Sequence, residues 1–178
     1  ARNFCRTIDA LWRLRTCHSP CRLARGDLQV ATMLPNVPED LLDRLAAASR
    51  QRKATINELV LTAFIESIAQ ATPERASQSR RRDLAVASIV DLRPLALDQL
   101  QTVAGLYLGY FQVFARDRGD ATFDSLLATI RSQSMRIKRE RSYLRSLSEI
   151  AYLNWIWGSL SDSEKIRHSM NNHPVAGG

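Results

Sequence analysis

The stretch R-D-L-A-V-A-S-I-V-D-L-R-P-L, residues 82–95, decides the fold of this sequence. Its apolar residues are small or β-branched, and the run is too short for a buried helix, so it predicts a strand buried on both faces. Pro94 disfavours helix at Arg93 and cannot donate to a sheet ladder, so the strand should end there. Asp91 and Arg93 therefore stand at the end of a buried strand, either as a functional pair or as an ion pair that only positions a loop.

Composition narrows the class of protein. The 178 residues suit one domain, and 45% of them are hydrophobic, which is typical of a globular chain. No apolar run approaches the roughly 20 residues of a membrane span and no signal peptide is visible, so we expect a cytoplasmic protein. The formal charge of +7 suits nucleic acid, an anionic cofactor or an acidic partner. The arginines are dispersed and no nucleic-acid-binding motif is present, which argues against nucleic acid.

The sequence holds three cysteines, which is typical of a reducing compartment rather than of a disulfide scaffold. Cys17, His18 and Cys21 resemble half of a zinc site. The other two histidines, His168 and His173, lie far away without cysteine neighbours. A closed structural zinc needs four ligands, so no metal is predicted.

Helices and strands alternate along the chain. Residues 1–27 are predicted as a separate, irregular basic segment with a modest helix. The elements expected after it are a strand at 28–34, a helix after Asn36, a helix capped by Thr55 and ending before Pro73, the central strand, a strand at 105–115, a long helix opened by Thr122, and a helix at 143–157. The sequence thus predicts an α/β protein with a mixed sheet flanked by helices.

Two helices have informative faces. Thr55 and Glu58 form a capping box, in which each side chain bonds the other residue's backbone amide. The apolar face expected after it comprises Leu59, Val60, Ala63, Phe64, Ser67, Ile68 and Ala71. The helix at 143–157 is apolar on more than one side, which indicates either core packing or an interface around Trp155 and Trp157.

The order of these motifs resembles the condensation-domain superfamily of acyltransferases with the chloramphenicol-acetyltransferase fold. The resemblance rests on A-T-I-N-E-L-V-L-T-A-F-I-E-S-I-A (54–69), L-A-V-A-S-I-V-D-L-R-P (84–94), the glycine-led strand at 105–115 and the T-F-x-x-L-L helix start at 122–127. Alcohol acetyltransferases, wax-ester synthases and polyketide-associated acyltransferases are other members. The superfamily's H-H-x-x-x-D motif, whose second histidine takes a proton from the acceptor, is absent from this sequence.

The resemblance therefore implies the C-terminal lobe of a two-lobed enzyme, residues 28–178, incomplete at both ends. The intact enzyme would move an acyl group from a coenzyme A or phosphopantetheinyl carrier-protein thioester to an alcohol or amine, with no permanently bound cofactor. The missing N-terminal lobe would be one partner and an acyl carrier protein another. This chain by itself would be inactive, and the number of subunits stays open, a homo-oligomer included.

The resemblance also implies roles for individual residues. Arg93, oriented by Asp91, would pair across the lobe interface with the motif aspartate. The acyl channel would be lined by Gly105, Tyr107 and Gly109. Lys138, Arg139 and Arg141 would meet a carrier protein or the phosphates of coenzyme A, although compensation of the helix dipole explains these cations equally well. The alternative function is a non-catalytic scaffold or protein-interaction module derived from the same fold.

Overall fold

The structure is a computed structural model that describes residues 12–14, 16–18, 36–77, 81–95, 107–116, 122–165 and 175–176. Within these ranges the elements, in chain order, are α1 (Leu41–Arg52), α2 (Ile56–Ala71), β1 (Leu84–Asp91), β2 (Leu108–Ala115), α3 (Phe123–Glu140), α4 (Arg145–Trp157) and β3 (Val175–Ala176). Short 3₁₀ turns follow α2, β1 and α3. The chain is thus a mixed α/β fold, as the sequence predicts.

The sheet has the strand order β2-β1-β3, with β1 in the centre. β1 and β2 run antiparallel over eight residue pairs, from Leu84 opposite Ala115 to Asp91 opposite Leu108. The two-residue β3 lies parallel to β1 on its other side, with Val86 opposite Val175. The predicted strand at 84–91 is therefore confirmed, and it forms the middle of the sheet.

The hydrophobic core lies between one face of the sheet and helices α2 and α3. Side chains alternate along a strand, so every second residue of β1 and β2 points toward the helices. Val86 and Val113, which pair across the two strands, are both fully buried there. Their neighbours in this core are Leu61, Ile65, Leu84, Phe111, Ala115 and Ile130.

The opposite face of β1 is covered only near its beginning. Ala85 is buried, whereas Ile89, four residues further on, is 58% exposed. The prediction of a strand buried on both faces is therefore wrong for the second half of β1. The apolar run predicts a strand, but the elements that cover each face are set by tertiary packing, which the run does not encode.

Helix α2 begins as predicted. The backbone N–H of Glu58 donates to Thr55 Oγ1 at 3.3 Å, and the N–H of Thr55 donates to Glu58 Oε2 at 2.8 Å. The predicted apolar face is partly wrong, because Leu61, Thr62 and Ile65 are buried while Phe64 is exposed. Apolar residues surround this helix, so periodicity alone could not select the buried side.

The second strand and the long helix differ little from prediction. β2 begins at Leu108 rather than at the predicted glycine, and Gly105 lies outside the described residues. The side chain of Thr122 accepts from the backbone N–H of Ser125 at 3.3 Å, and this cap opens the 18-residue helix α3.

Several other predictions also lie outside the described residues: the strand at 28–34, most of the segment 1–27, Cys21, His168 and His173. No helix in the described part of the chain is long and apolar enough to cross a membrane.

Candidate functional site

The end of β1 forms a tight corner, and it carries the residues that the sequence singles out. The backbone N–H of Leu92 donates to the carbonyl of Tyr107 at 2.8 Å, which ties the corner to the start of β2. A 3₁₀ turn follows at Arg93–Leu95, closed by a 2.9 Å bond from the Leu95 N–H to the Leu92 carbonyl. Pro94 lies within this turn. The strand therefore ends just before the proline, as expected because proline cannot donate a hydrogen bond to a sheet.

Asp91 and Arg93 are linked by their side chains and their backbones. Asp91 Oδ1 accepts from the backbone N–H of Arg93 at 2.9 Å, and Asp91 Oδ2 lies 3.8 Å from a terminal guanidinium nitrogen of Arg93. The first contact is the local turn that an aspartate side chain commonly makes two residues along the chain. Asp91 therefore fixes the backbone at Arg93 and also forms an ion pair with the Arg93 guanidinium.

Both members of the pair are open to solvent. The side chains of Arg93 and Asp91 are 51% and 52% exposed, so Arg93 lies in solvent in this structure. Exposed ion pairs contribute only about 0–1 kcal/mol to stability. The guanidinium is accordingly available to a carboxylate outside the described residues.

Gly109 is fixed by packing against the same corner. A Cβ at this position would lie 3.1 Å from Leu92 Cδ2 and 3.1 Å from Ser146 Oγ, closer than side-chain carbons normally approach. Glycine at 109 thus lets Leu92 and the first turn of α4 meet the strand. Neither Gly109 nor Tyr107 lines a cavity found among the described residues.

The last turn of α3 is basic. Lys138, Arg139 and Arg141 are all exposed. Arg141 ends the helix in the left-handed conformation, with φ 49°, and its N–H bonds the last free carbonyls of the helix. These three cations stand at the negative end of the helix dipole. Arg136, which precedes them by half a turn and belongs to the same basic end in the sequence, lines both cavities beside β2, a position that the sequence does not predict.

A buried polar network that sequence reasoning missed joins β2 to α4. The hydroxyl of Tyr110 donates to Glu149 Oε2 at 2.6 Å, and Arg145 Nε lies 2.6 Å from Glu149 Oε1. Burial, and then the hydrogen bond and charge of Glu149, raise the pKa of Tyr110 well above its usual value. The i, i+4 spacing of Arg145 and Glu149 predicts their pairing. Nothing in the sequence connects Tyr110 to them, because that contact depends on how α4 crosses the strand.

The cysteine and histidine near the N-terminus lie apart from this network. Cys17 is buried next to the start of β1, where it forms an isolated bridge with Asp83. Burial, with the Asp83 charge second, raises the pKa of Cys17 to about 12, so the thiol stays protonated at neutral pH. His18 Nε2 lies 3.8 Å from Glu74 Oε1. No cluster of three metal-ligating side chains occurs among the residues that the structure describes.

Comparison with known proteins found no match: no family model, no curated protein and no solved structure matches this chain.

Proposed function

We propose that this chain is the C-terminal lobe of an acyltransferase or condensation enzyme with the chloramphenicol-acetyltransferase fold. The observation that supports it best is the order of elements around one corner. A Thr55-capped helix leads to a strand that ends in Asp91-Leu92-Arg93-Pro94, an antiparallel strand returns beside it, and a Thr122-capped helix follows. The proposal places transfer from a coenzyme A or carrier-protein thioester to an alcohol or amine in the intact enzyme.

In this proposal Arg93 is a positioning residue rather than a catalytic one. Its guanidinium pairs with a carboxylate of the second lobe and keeps the loop that carries the catalytic histidine in shape. The histidine takes the proton of the acceptor, and the closed channel keeps water from the thioester. This role requires the second lobe to cover the Arg93 side chain, which is 51% exposed in this structure, so the exposure of Arg93 does not support the role.

The test compares Arg93→Ala in two settings. In this chain alone the substitution should change the free energy of unfolding by less than about 0.5 kcal/mol, because the side chain is exposed. In the longer protein, with its histidine-bearing lobe, it should cost about 3–5 kcal/mol by leaving a buried carboxylate unpaired. Activity is measured as release of free coenzyme A from acetyl-coenzyme A with alcohol and amine acceptors.

Arg50→Ala, an exposed cation near the end of α1, is the matched control and should be neutral in both settings. An upstream reading frame without His-His-x-x-x-Asp, or equal effects of Arg93→Ala in both settings, would contradict the proposal.

One observation favours the alternative function, a protein-interaction module. Helix α4 presents a row of exposed apolar side chains, with Leu147, Ile150 and Trp157 at spacings of three and seven residues. Trp155, on another side of the same helix, is 77% exposed. Large aromatic residues are enriched at interfaces. This function is supported if the longer protein releases no coenzyme A while Trp155→Ser abolishes a complex that sedimentation detects.

A further inference from the structure

A groove runs between the outer edge of β2 and helix α3. It consists of two cavities, of about 670 Å³ and about 280 Å³. Four residues line both cavities, so the two adjoin: Arg13, Phe114, Gln133 and Arg136. We call this feature the edge groove. None of Asp91, Leu92 and Arg93 lines it, so it is distinct from the corner at the end of β1.

The backbone of β2 is open at Gln112, between two edge residues that are hydrogen-bonded. Tyr110 donates its edge N–H to Ser146 Oγ at 3.2 Å, and Phe114 has both edge groups bonded by Gln133. In an antiparallel pair, alternate residues direct their backbone groups to the same side. The N–H and C=O of Gln112, midway between, therefore also face the edge, and Gln112 lines the smaller cavity.

Gln112 is held in a buried position without full hydrogen bonding. Its side chain is 91% buried, and within the described ranges no donor reaches its Oε1. Buried polar groups are normally satisfied by protein or by a bound molecule. Among the described residues, Gln112 thus has unsatisfied groups in two places: the backbone N–H and C=O at the edge, and Oε1 on the sheet face opposite Phe111 and Val113.

Positive charge surrounds the same point. Arg13, Arg136 and Arg145 line the smaller cavity, together with one carboxylate, that of Glu140. Arg145 is engaged by Glu149. Arg13 stacks on Phe114, with its guanidinium carbon 5.4 Å from the ring centre. Arg13 and Arg136 make no ion pair with any residue in the described ranges, although two carboxylates line the groove, that of Glu140 in the smaller cavity and that of Asp83 in the larger.

The larger cavity has a different lining. Its walls are apolar at Trp12, Phe114 and Leu126. They also carry the hydroxyls of Thr16, Ser125, Thr129 and Ser132 and the charged side chains of Asp83 and Arg116. A cavity of this size is within the range of small-molecule sites, which combine apolar walls with a few polar groups. It therefore offers room for the body of a molecule whose charged end lies in the smaller cavity.

We propose that the edge groove binds an organic phosphate monoester of nucleotide size. The phosphate lies in the smaller cavity, where Arg13, Arg136 and the backbone N–H of Gln112 supply donors from three directions. A phosphate monoester is close to a dianion and carries three acceptor oxygens, which matches two unneutralised guanidiniums and an N–H better than a carboxylate does. The organic part lies against Trp12 and the hydroxyls of α3. This inference stands independently of acyl transfer.

The experiment titrates the ¹⁵N-labelled full chain with adenosine monophosphate, adenosine and inorganic phosphate, and follows amide resonances by NMR. Adenosine monophosphate should shift the backbone amide of Gln112 and the side-chain amide of Gln133 at millimolar concentrations. Arg136→Gln should weaken that binding about tenfold, the loss of one charge-assisted contact. Arg139→Gln, an exposed cation on the same helix but outside the groove, should weaken it less than about twofold.

A second variant keeps the test informative if Arg136→Gln does not fold. Arg13→Gln removes the other guanidinium from a different element, and it should weaken binding as Arg136→Gln does, with the amide spectrum otherwise intact. The proposal is overturned if the Gln112 amide does not move, if adenosine binds as tightly as its monophosphate, or if Arg139→Gln weakens binding as much as Arg136→Gln. Adenosine monophosphate binding no more tightly than inorganic phosphate would likewise overturn it, since the larger cavity would then contribute nothing.

Discussion

Gln133 of α3 bonds both free backbone groups of Phe114. Its Oε1 accepts from the Phe114 N–H at 3.0 Å, and its Nε2 donates to the Phe114 carbonyl at 2.7 Å. The side-chain amide thus imitates the backbone of one further strand. An exposed strand edge invites pairing with another chain, and covering it is a usual protection. Gln133 therefore serves both stability and solubility.

The first prediction removes this amide. Gln133→Ala should lower the free energy of unfolding by about 1–3 kcal/mol, because two hydrogen bonds are lost at a partly buried edge. The urea midpoint of unfolding measures the loss. Ser132→Ala, the exposed neighbour on the same helix, should stay within about 0.5 kcal/mol of the parent. Equal stability of the two variants would contradict the edge-sealing role.

The second prediction concerns the close approach at Gly109. Gly109→Ala should destabilise the chain by about 1–3 kcal/mol, because the new methyl group meets Leu92 and Ser146 and overpacks the corner. Gly158→Ala is the matched control. There the nearest atom to a new Cβ is the Trp155 carbonyl oxygen at 3.9 Å, and φ is −65°. That substitution should be neutral or stabilising by up to about 1 kcal/mol. The melting temperatures of both variants measure the difference.

The third prediction contrasts the two faces of β1. Val86→Ala should cost about 2–3 kcal/mol, since it deletes two carbons from a fully buried site. Ile89→Ala deletes three carbons yet should cost less than about 1 kcal/mol, because its side chain is mostly in solvent. Chemical denaturation of the two variants measures the difference. A larger loss at Ile89 would show that this face is covered.

The fourth prediction is a dependence on pH. Tyr110 has a raised pKa in the folded chain, so above pH about 10 the unfolded state releases a proton that the folded state keeps. Stability should therefore fall as the pH rises beyond that value. The fall should be less steep in Tyr110→Phe, measured as the free energy of unfolding at several alkaline pH values. A slope unchanged by this substitution would exclude Tyr110 as its source.

Local signals in the sequence predict most of the elements but not their mutual contacts. The cap at Thr55, the strand before Pro94 and the cap at Thr122 are all confirmed, because each depends on residues within a few positions. The predicted buried side of α2 is partly wrong because Leu61 and Phe64 are both strongly apolar residues. Only the position of the sheet determines which of the two is buried.

The candidate sites are less predictable for the same reason. Gln133 and Phe114 stand 19 positions apart, and Tyr110 and Glu149 stand 39 apart. Such pairs are set by the crossing of a helix over a strand, which no local pattern encodes. The basic end of α3 was visible in the sequence, yet which arginine enters the groove depends on the rotation of the helix. That rotation brings in Arg136 and leaves Arg139 outside.

The sealed rim of β2 also dictates how this fold can be enlarged. With Ser146 and Gln133 occupying that rim, the one vacant residue between them is too short a run for strand pairing. Any additional strand, whether from the same polypeptide or from another, must join on the other side of the sheet, where the two residues of β3 leave most of β1 without a described partner. The sheet can therefore gain strands at one edge only. A larger sheet built from this fold would keep β2 as its outer strand.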